Sequence, residues 1–286
     1  RLDRRQIEIG SEFQDPPAES LSKSCLQSGT MKIATWNVNS VRARLERVTA
    51  WLEKVQPDVV CLQELKSREE AFPYEAIQAA GYHAAVYGQP TYNGVAILSR
   101  TEPANVSQGM GDDAEDPEAR FLAAQVGEVH VISAYVPNGR VVGSEHYEYK
   151  LDWLRRLQAF LNRHFTPETP LVVCGDFNVA RDERDVANPA AWEPSVLYHP
   201  TSRSALEELL GWGLIDVFRQ QHDQGGSYSW WDYRNLGFPR NDGLRIDYIF
   251  ATQPLARRCS AAEIDRQQRK GAKPSDHAPV IAEFAE

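Results

Sequence analysis

The stretch Leu171-Val172-Val173-Cys174-Gly175-Asp176-Phe177-Asn178 decides the fold class of this chain. Its four leading apolar residues predict a buried strand, and the glycine after them marks the end of that strand. Asp176 and Asn178 follow, one residue apart, at the mouth of the strand. Taken alone, the pattern also fits an ordinary strand-ending turn. Five further apolar runs, however, end on a polar residue able to bind a metal or move a proton, which predicts one assembled active site.

The composition predicts a well-packed globular protein. Of the 286 residues, 42% are hydrophobic and 25% are charged, as in average soluble domains. No apolar run approaches the roughly 20 residues of a membrane helix, and no apolar signal core is evident. Cys61 and Cys174 lie inside apolar runs, which favours reduced, buried thiols. The formal charge of −9 disfavours nonspecific coating of nucleic acid but permits a basic groove beside an acidic site.

Residues 1–30 are expected to lie outside the fold. They contain Pro16-Pro17 and scattered charges, and they show no strand or helix period before Met31, which we read as the natural start. The segment fits either a disordered arm or a tail left by cloning, since Gly10-Ser11-Glu12-Phe13 has the look of a cloning-site remnant. Residues 31–286 continue without linker, repeat or low-complexity stretch, which predicts a single domain.

The remaining chain is strand-rich, with helical segments between the strands. Apolar residues at helical spacing predict helices within residues 41–55, 147–160 and 205–210. Helices packed on a two-sheet sandwich would fit this order. Strands are predicted at residues 32–38, 59–63, 94–99, 121–126, 129–136, 171–175, 227–231, 245–251 and 280–284.

Glu64 closes the apolar run of residues 59–63. A carboxylate next to a buried strand is costly unless a cation pairs with it. Two partners fit equally well at this point, a divalent metal or a basic side chain such as Lys66. Oxygen ligands suit magnesium, which keeps several waters and takes one or two carboxylates from the protein. Asn37, at the end of residues 33–36, is by itself typical of a turn.

Three further strand ends carry polar groups. The sequence Tyr135-Val136-Pro137-Asn138-Gly139 ends one strand with a phenol and an amide, and it is also a good turn. Asp247 stands within an alternating strand, where aspartate is disfavoured and needs a partner. Ser275-Asp276-His277 offers that partner just before the last strand, because a buried aspartate could orient the imidazole and keep it cationic.

The strand ends form six motifs along the chain, Thr35-Trp36-Asn37-Val38-Asn39, Leu62-Gln63-Glu64-Leu65-Lys66, Tyr135-Val136-Pro137-Asn138-Gly139, Gly175-Asp176-Phe177-Asn178, Leu244-Arg245-Ile246-Asp247 and Ser275-Asp276-His277. In content and in order, these motifs resemble those of the exonuclease III and abasic-site endonuclease family, in particular its bacterial exonuclease III-like branch. The family belongs to the wider endonuclease/exonuclease/phosphatase superfamily, and the resemblance covers essentially all of residues 31–286. It implies a DNase I-like four-layer αββα sandwich, with two packed mixed sheets flanked by helices and the strand-end residues gathered at one edge.

The resemblance implies a magnesium site, with manganese as a substitute ion. Glu64 would be the main ligand, with Asn37 and Asp276 near the ion. Asn39 stands where some relatives carry an aspartate, a departure that bears on a second metal and not on the main site.

The resemblance also assigns the chemical roles. Asp176 would position or deprotonate the attacking water, and Asn178 would hold its geometry. His277, oriented by Asp247, and Tyr135 would stabilise the phosphate as negative charge develops. Such support matters more to phosphodiester hydrolysis than a covalent nucleophile does.

The implied substrate is double-stranded DNA with abasic sites or 3′ ends. The activities would be incision 5′ to abasic sites, 3′–5′ exonuclease action and 3′-phosphodiesterase action in base excision repair, in a balance that the sequence does not fix. Trp230, Leu244 and Ile246 would surround a pocket for a flipped-out sugar that lacks its base. Candidate phosphate contacts are Lys66, Asn138, Arg42, Arg140 and Arg234.

Two other classes of protein share these motifs in part. A phosphatase of the wider superfamily, acting on inositol phosphates or sphingolipids, would share Glu64, Asp176 and His277. An inactive binding module would lack at least one ligand or acid–base residue, and none is missing here. We expect a monomer in the bacterial cytoplasm that acts at the nucleoid and has no membrane partner.

Overall fold

The computed structural model describes residues 29–112, 114, 116–234 and 236–285. Most of the predicted tail, residues 1–28, lies outside the described residues. In the described part, twelve strands form two six-stranded sheets. The strands are β1 (Thr30–Asn37), β2 (Val59–Gln63), β3 (His83–Tyr87), β4 (Val95–Ser99), β5 (Ala104–Gln108), β6 (Phe121–Val126), β7 (Val129–Tyr135), β8 (Leu171–Asp176), β9 (Leu214–Asp216), β10 (Asp247–Thr252), β11 (Cys259–Ile264) and β12 (Val280–Ala285).

The helices lie mostly in the connections between strands. Short 3-10 helices span Glu69–Ala71, Glu183–Asp185 and Arg266–Arg269. The α-helices are α1 (Leu45–Val55), α2 (Tyr74–Ala79), α3 (Glu145–His164), α4 (Pro189–Trp192), α5 (Pro200–Leu210), α6 (Val217–Gln221), α7 (Gly237–Arg240) and α8 (Gln253–Ala256). None of the helices in the described ranges combines the length and the apolarity that crossing a membrane requires.

The two sheets share one pairing pattern. The first has the order β11-β12-β1-β2-β4-β3 and the second the order β5-β6-β7-β8-β10-β9. Each contains one parallel pair, β1 with β2 and β7 with β8, and its other neighbours are antiparallel. The carboxyl ends of a parallel pair lie at the same sheet edge, so each sheet delivers two strand ends to one place.

The layers follow from where the apolar residues are buried. One core cluster fills the space between the sheets and includes Ile33, Cys61 and Cys174. A second cluster packs α1 and α2 onto the first sheet, and a third packs α3 and α5 onto the second sheet. This arrangement confirms the predicted four-layer αββα sandwich. It also confirms Cys61 and Cys174 as buried free thiols.

Helix α3 shows how the sequence sets the boundaries of a helix. Ser144 caps its first turn by accepting a hydrogen bond from the Tyr147 amide. Acidic residues occupy the first turn and basic residues the last, which suits the helix dipole. Buried side chains at helical spacing form the face toward the second sheet. The predicted helix within residues 147–160 is therefore confirmed, with longer ends.

Gly175 allows the close approach of β7 and β8. A Cβ atom there would lie 1.8 Å from the carbonyl oxygen of Ala134, and the backbone φ is +153°. Only glycine fits such a position. The residue after it, Asp176, consequently ends β8 against the last residue of β7, Tyr135.

The predicted strand at residues 227–231 is wrong. Trp230 forms only isolated bridges, to Leu244 and to His277. The buried hydroxyl of Ser229 accepts hydrogen bonds from the amides of Ile246 and Asp247, at 3.1 and 3.0 Å. The segment also shares backbone hydrogen bonds with Leu244 and with residues 276–278, but these form isolated bridges and not a continuous strand ladder.

Candidate active site

Six polar side chains from both sheets meet at one edge of the sandwich. Asn37 ends β1 and Tyr135 ends β7, while Glu64 follows directly after β2. Asp247 begins β10 at the register position opposite Asp176, since these strands run antiparallel. The remaining member, His277, precedes β12. The shared pairing pattern of the two sheets therefore explains why these side chains come together.

Glu64 lies among hydrogen-bond donors. Its Oε1 accepts from Asn37 Nδ2 and from the Tyr135 hydroxyl, each at 2.9 Å. Its Oε2 lies 3.0 Å from Lys66 Nζ. Burial alone would raise the pKa of Glu64, but Lys66, the Asn37 hydrogen bond and His277 outweigh it and lower that pKa. The backbone of Glu64 is left-handed, with φ +52°, an uncommon conformation that is often found at functional sites.

Asp176 is almost fully buried on the second sheet. Its Oδ2 accepts from Asn37 Nδ2 at 2.9 Å, which joins it to the first sheet. Its Oδ1 accepts from the Asn178 amide at 2.9 Å. Burial raises the pKa of Asp176 to about 7, with Asp247 adding to the rise and His277 opposing it. A carboxyl whose pKa lies near neutrality suits a general base.

His277 and Asp247 form a buried pair. The imidazole Nδ1 lies 2.8 Å from Asp247 Oδ2, and Nε2 lies 3.8 Å from Asp176 Oδ2. Burial alone would lower the pKa of His277, but the charges of Asp247 and Asp176 raise it to about 10. The imidazole is therefore a cation at neutral pH.

The cluster fits a divalent cation. Among the described residues, ligand atoms of Glu64, Asp176 and His277 lie within 4.8 Å of one another. A protonated imidazole has no lone pair to give, so of these three residues only the two carboxylates could act as ligands. Asp247 Oδ1 is a buried acceptor without a hydrogen-bond partner among the described residues. Oxygen donors with excess negative charge match the preference of magnesium.

Asp276 lies beside this cluster and is held by neutral donors. Its Oδ1 accepts from Asn39 Nδ2 at 2.9 Å, and its Oδ2 accepts from the Trp230 indole at 3.1 Å. Burial alone would raise the pKa of Asp276, but His277, Asn39 and Trp230 lower it. The carboxylate is therefore ionised and oriented.

Lys66 and Asn138 each donate a hydrogen bond to an asparagine beside the cluster. Lys66 Nζ donates to Asn39 Oδ1 at 2.7 Å in addition to its contact with Glu64. Glu64 can therefore have both partners that the sequence left open, a basic side chain and a metal ion. Lys66 contacts only one oxygen of its carboxylate, which also faces Asp176. Asn138 is exposed, and its Nδ2 donates to Asn178 Oδ1 at 3.1 Å.

The three residues predicted to form an abasic pocket lie in one apolar cluster. Leu244 and Ile246 are buried, and Trp230 packs over them half-buried. Trp192, in α4, contacts the Trp230 ring edge-on with centroids 5.9 Å apart. Trp192 thus covers part of the surface that the sequence assigns to a sugar.

The three candidate arginines are all exposed. Arg42 and Arg140 lie on loops that follow β1 and β7. Arg234 pairs with Asp232, with Nη2 and Oδ2 2.7 Å apart. None of the three has a buried contact that would explain it as part of the core.

Sequence reasoning missed three residues that support the site. Ser229 fixes the start of β10 as described above. Arg120 donates to the Tyr135 carbonyl oxygen at 3.2 Å and lies over its ring, 4.7 Å from the centroid. Lys150 lies fully buried in α3. Only Lys150 carried a signal, because it stands three residues after Tyr147 and four before Leu154 on a predicted buried face.

Comparison with known proteins places this geometry in a family. The sequence profile described as the Endonuclease/Exonuclease/phosphatase family matches residues 34–277. The chain belongs to the Endonuclease/Exonuclease/phosphatase family. Exodeoxyribonuclease III of Haemophilus influenzae is 37% identical over 266 residues, covering 89% of this chain and all of that protein. The predicted family is thereby confirmed.

Solved structures of family members agree with this one. An AP endonuclease from Archaeoglobus fulgidus superposes with a TM-score of 0.87 at 41% identity, covering 89% of this chain and 99% of that one. A 3′-5′ exonuclease, NExo, from Neisseria meningitidis gives the same TM-score and identity, covering 90% and 100%.

Proposed function

We propose that this protein is a magnesium-dependent DNA repair nuclease. It hydrolyses the phosphodiester 5′ to abasic sites and acts at 3′ ends as a 3′–5′ exonuclease and 3′-phosphodiesterase. The observation that carries the proposal is the buried set of Asn37, Glu64, Asp176, Asp247 and His277, in which a base, a cation and metal ligands face one another. Relatives named as exodeoxyribonuclease, AP endonuclease and 3′-5′ exonuclease support it.

Asp176 acts on the attacking water in this proposal. Its pKa of about 7 leaves a large ionised fraction at neutral pH, and the main-chain amide of Asn178 donates a hydrogen bond that orients the carboxylate. The carboxylate takes a proton as the water oxygen forms a bond to phosphorus. The bond from phosphorus to the 3′ oxygen of the upstream nucleotide breaks, and that oxygen leaves and takes a proton from a solvent water.

His277 and Tyr135 stabilise the charge that develops on the phosphate oxygens. The imidazolium is held by Asp247 and keeps its proton throughout the neutral range. Burial, Glu64 and Asp176 raise the pKa of Tyr135 well above 10, so its hydroxyl remains a donor. Losing one such preorganised donor typically costs about 100- to 1,000-fold in rate.

Glu64 would hold the magnesium ion, with Asn37 and Asp276 nearby, and manganese could replace it. The bound ion would supply positive charge at the phosphate and the leaving oxygen. Lys66 completes the local charge balance by its contact with Glu64.

The DNA lies across the sheet edge in this proposal. Trp230, Leu244 and Ile246, which share one apolar cluster, receive the flipped abasic sugar, because a nucleotide without its base is the least costly to extrude from the duplex. Residues 31–286 act as one catalytic domain, as a monomer in the cytoplasm. The duplex phosphates are contacted by Lys66, Asn138, Arg42, Arg140 and Arg234.

A duplex oligonucleotide with one stable abasic analogue tests the proposal against an undamaged duplex. We expect the wild type to incise 5′ to the lesion with magnesium, and chelator to abolish incision. Glu64→Ala should lose it as well, while Glu53→Ala, at an exposed position of α1, should retain it. No incision by the wild type, together with phosphate release from inositol phosphates, would replace the nuclease by a phosphatase.

A further inference from the structure

Lys150 is a buried lysine on the face of α3 that packs toward the site. None of its side chain is exposed, and its amine forms no ion pair with the described residues, although the charge of Asp176 acts on it from farther away. The Nζ atom instead donates to three main-chain carbonyl oxygens. The acceptors are Asn178 at 2.7 Å, Val196 at 2.9 Å and Asn138 at 3.1 Å.

The number of donors matches the number of acceptors. Burial lowers the pKa of Lys150 to about 7, with the charge of Asp176 opposing the shift. The ammonium form has three N–H donors, and each has one carbonyl here. The acceptors come from three different segments, the turn after β7, the loop after β8 and the loop before α5. One side chain thus ties together three loops that have no strand ladder between them.

Two of these loops carry the asparagines of the proposed site. Asn138 and Asn178 are joined side chain to side chain, and Asn178 Nδ2 also donates to the Val136 carbonyl at 2.9 Å. Asn178 has a left-handed backbone, with φ +51°, and its amide donates to Asp176. A path of hydrogen bonds therefore runs from Lys150 to the proposed base.

The stem of Lys150 also fits the turn that follows β7. Gly139 has φ +89°, and a Cβ there would lie 2.9 Å from Lys150 Cδ. If this face of α3 served only for packing, an apolar residue would be expected at position 150, since burying an amine without an adjacent counter-charge is costly. The cost is offset here by three hydrogen bonds, two of them to the Asn138 and Asn178 carbonyls; the third acceptor, Val196, also accepts from Ser202 Oγ at 2.9 Å.

We infer that Lys150 is a positioning residue of this nuclease, holding the backbones of Asn138 and Asn178 so that their side chains and Asp176 face the substrate. The inference rests on the proposed function for what these side chains do. The hydrogen bonds of Lys150 are observed independently of that function, so the inference and the proposed function can fail separately.

Hydrogen exchange of the DNA-free protein tests the positioning directly. Lys150→Met keeps the length and apolar stem but removes all three donors, whereas Leu161→Ala creates a cavity in the same helix near its other end. We expect faster exchange at residues 136–140 and 177–180 in Lys150→Met, with the strands unchanged. Leu161→Ala should not change those two segments. Unchanged exchange in Lys150→Met would overturn the inference, whether or not the wild type cuts DNA.

A double-mutant cycle with Asn178→Ala tests the consequence for incision. Lys150→Met should lower kcat about 10- to 100-fold in a folded enzyme, as loss of an orienting contact typically does. In the Asn178→Ala background, Lys150→Met should lower kcat little further, whereas the effects of Leu161→Ala and Asn178→Ala on the activation free energy should add. If the losses of kcat from Lys150→Met and Asn178→Ala multiply in full, positioning through Asn178 is contradicted.

Lys150→Arg serves as the conservative variant. It keeps a cation with N–H donors, so we expect it to retain more activity and more protection than Lys150→Met. Circular dichroism below the unfolding transition confirms that each variant is folded. Equal loss in both variants, with unchanged exchange at the two loops, would assign Lys150 to stability alone. A wild type without incision would refute the proposed function and leave the exchange test decisive for Lys150.

Discussion

At the residue scale, burial raises the pKa of Asp176 at the expense of stability. The carboxyl is desolvated beside Asp247, and its pKa rises to about 7. A carboxyl with a raised folded pKa stabilises the fold fully below its unfolded pKa and loses that contribution as pH rises through the folded value. Ionised Asp176 is therefore a destabilising group at pH 8, which is a common property of catalytic side chains.

Asp176→Asn should lose activity and gain stability. The amide keeps the shape of the side chain but cannot take a proton, so we expect kcat/KM to fall by about 100- to 10,000-fold. Because the buried charge is gone, the melting temperature at pH 8 should rise. Steady-state incision assays and thermal unfolding check the two effects. A lower melting temperature or an activity within tenfold of the wild type would show that Asp176 is not the base described.

His277 should make stability depend on pH in the alkaline range. Its pKa rises from the ordinary 6.5 to about 10 because of Asp247 and Asp176. For a base with a raised folded pKa, the stabilisation is fully present below pH 6.5 and is lost as pH rises through about 10. In chelator, the free energy of unfolding should therefore decline between pH 8 and pH 10.

Urea unfolding at several pH values measures this dependence. His277→Gln should show a flatter profile between pH 8 and pH 10, since glutamine does not titrate. His146→Gln, at an exposed position of α3, should retain the wild-type profile. A variant profile as steep as that of the wild type would assign the alkaline decline to other groups.

At the element scale, the sequence predicted interior strands and missed the sheet edges. Strand β2 is buried at all five positions, so its apolar run was plain. Strand β5 is exposed at all five and reads as a loop. The other missed strands, β3, β9 and β11, are the remaining sheet edges. An edge strand buries less side-chain surface, so its sequence need not show the alternation of apolar and polar residues from which strands are predicted.

A buried ion network anchors the start of β10 to neighbouring elements. Arg245 is fully buried and pairs with Asp185 at 2.7 Å and with Asp216 at 2.7 Å. Arg219 also contacts Asp185. Arg245 stands between Leu244 and Ile246 of the proposed pocket, so the network fixes the strand segment that carries both.

Arg245→Met should destabilise the protein strongly. The substitution leaves two buried carboxylates without their main partner, a change that typically costs about 3 to 5 kcal/mol. Denaturant unfolding measures the loss, and Arg234→Met, which removes an exposed pair, is the control that should leave stability unchanged. A loss no larger than that of the control would mean that the network is not required for the fold.

At the scale of the whole molecule, the site exists only where the two sheets pack together. Asn37 and Glu64 come from the first sheet, and Tyr135, Asp176 and Asp247 come from the second. A buried hydrogen bond from Gln63 to Ser133, 3.2 Å long, joins the sheets just below. Asn37, Glu64, Tyr135 and Asp176 could be predicted because each ends or follows an apolar run. The position of Lys150 on a buried helix face was readable from the sequence, but its three carbonyl partners and the contacts of Ser229 join distant segments, which a single sequence does not reveal.

Incision of a natural abasic site in water enriched in oxygen-18 distinguishes hydrolysis from elimination. We expect a 3′-hydroxyl upstream and a 5′-phosphate on the abasic sugar that carries one oxygen-18 atom, detected by mass spectrometry. Both products should disappear in the Glu64→Ala variant. An unlabelled 5′-phosphate with an unsaturated sugar fragment on the 3′ end would mean elimination instead of hydrolysis, and it would contradict the account.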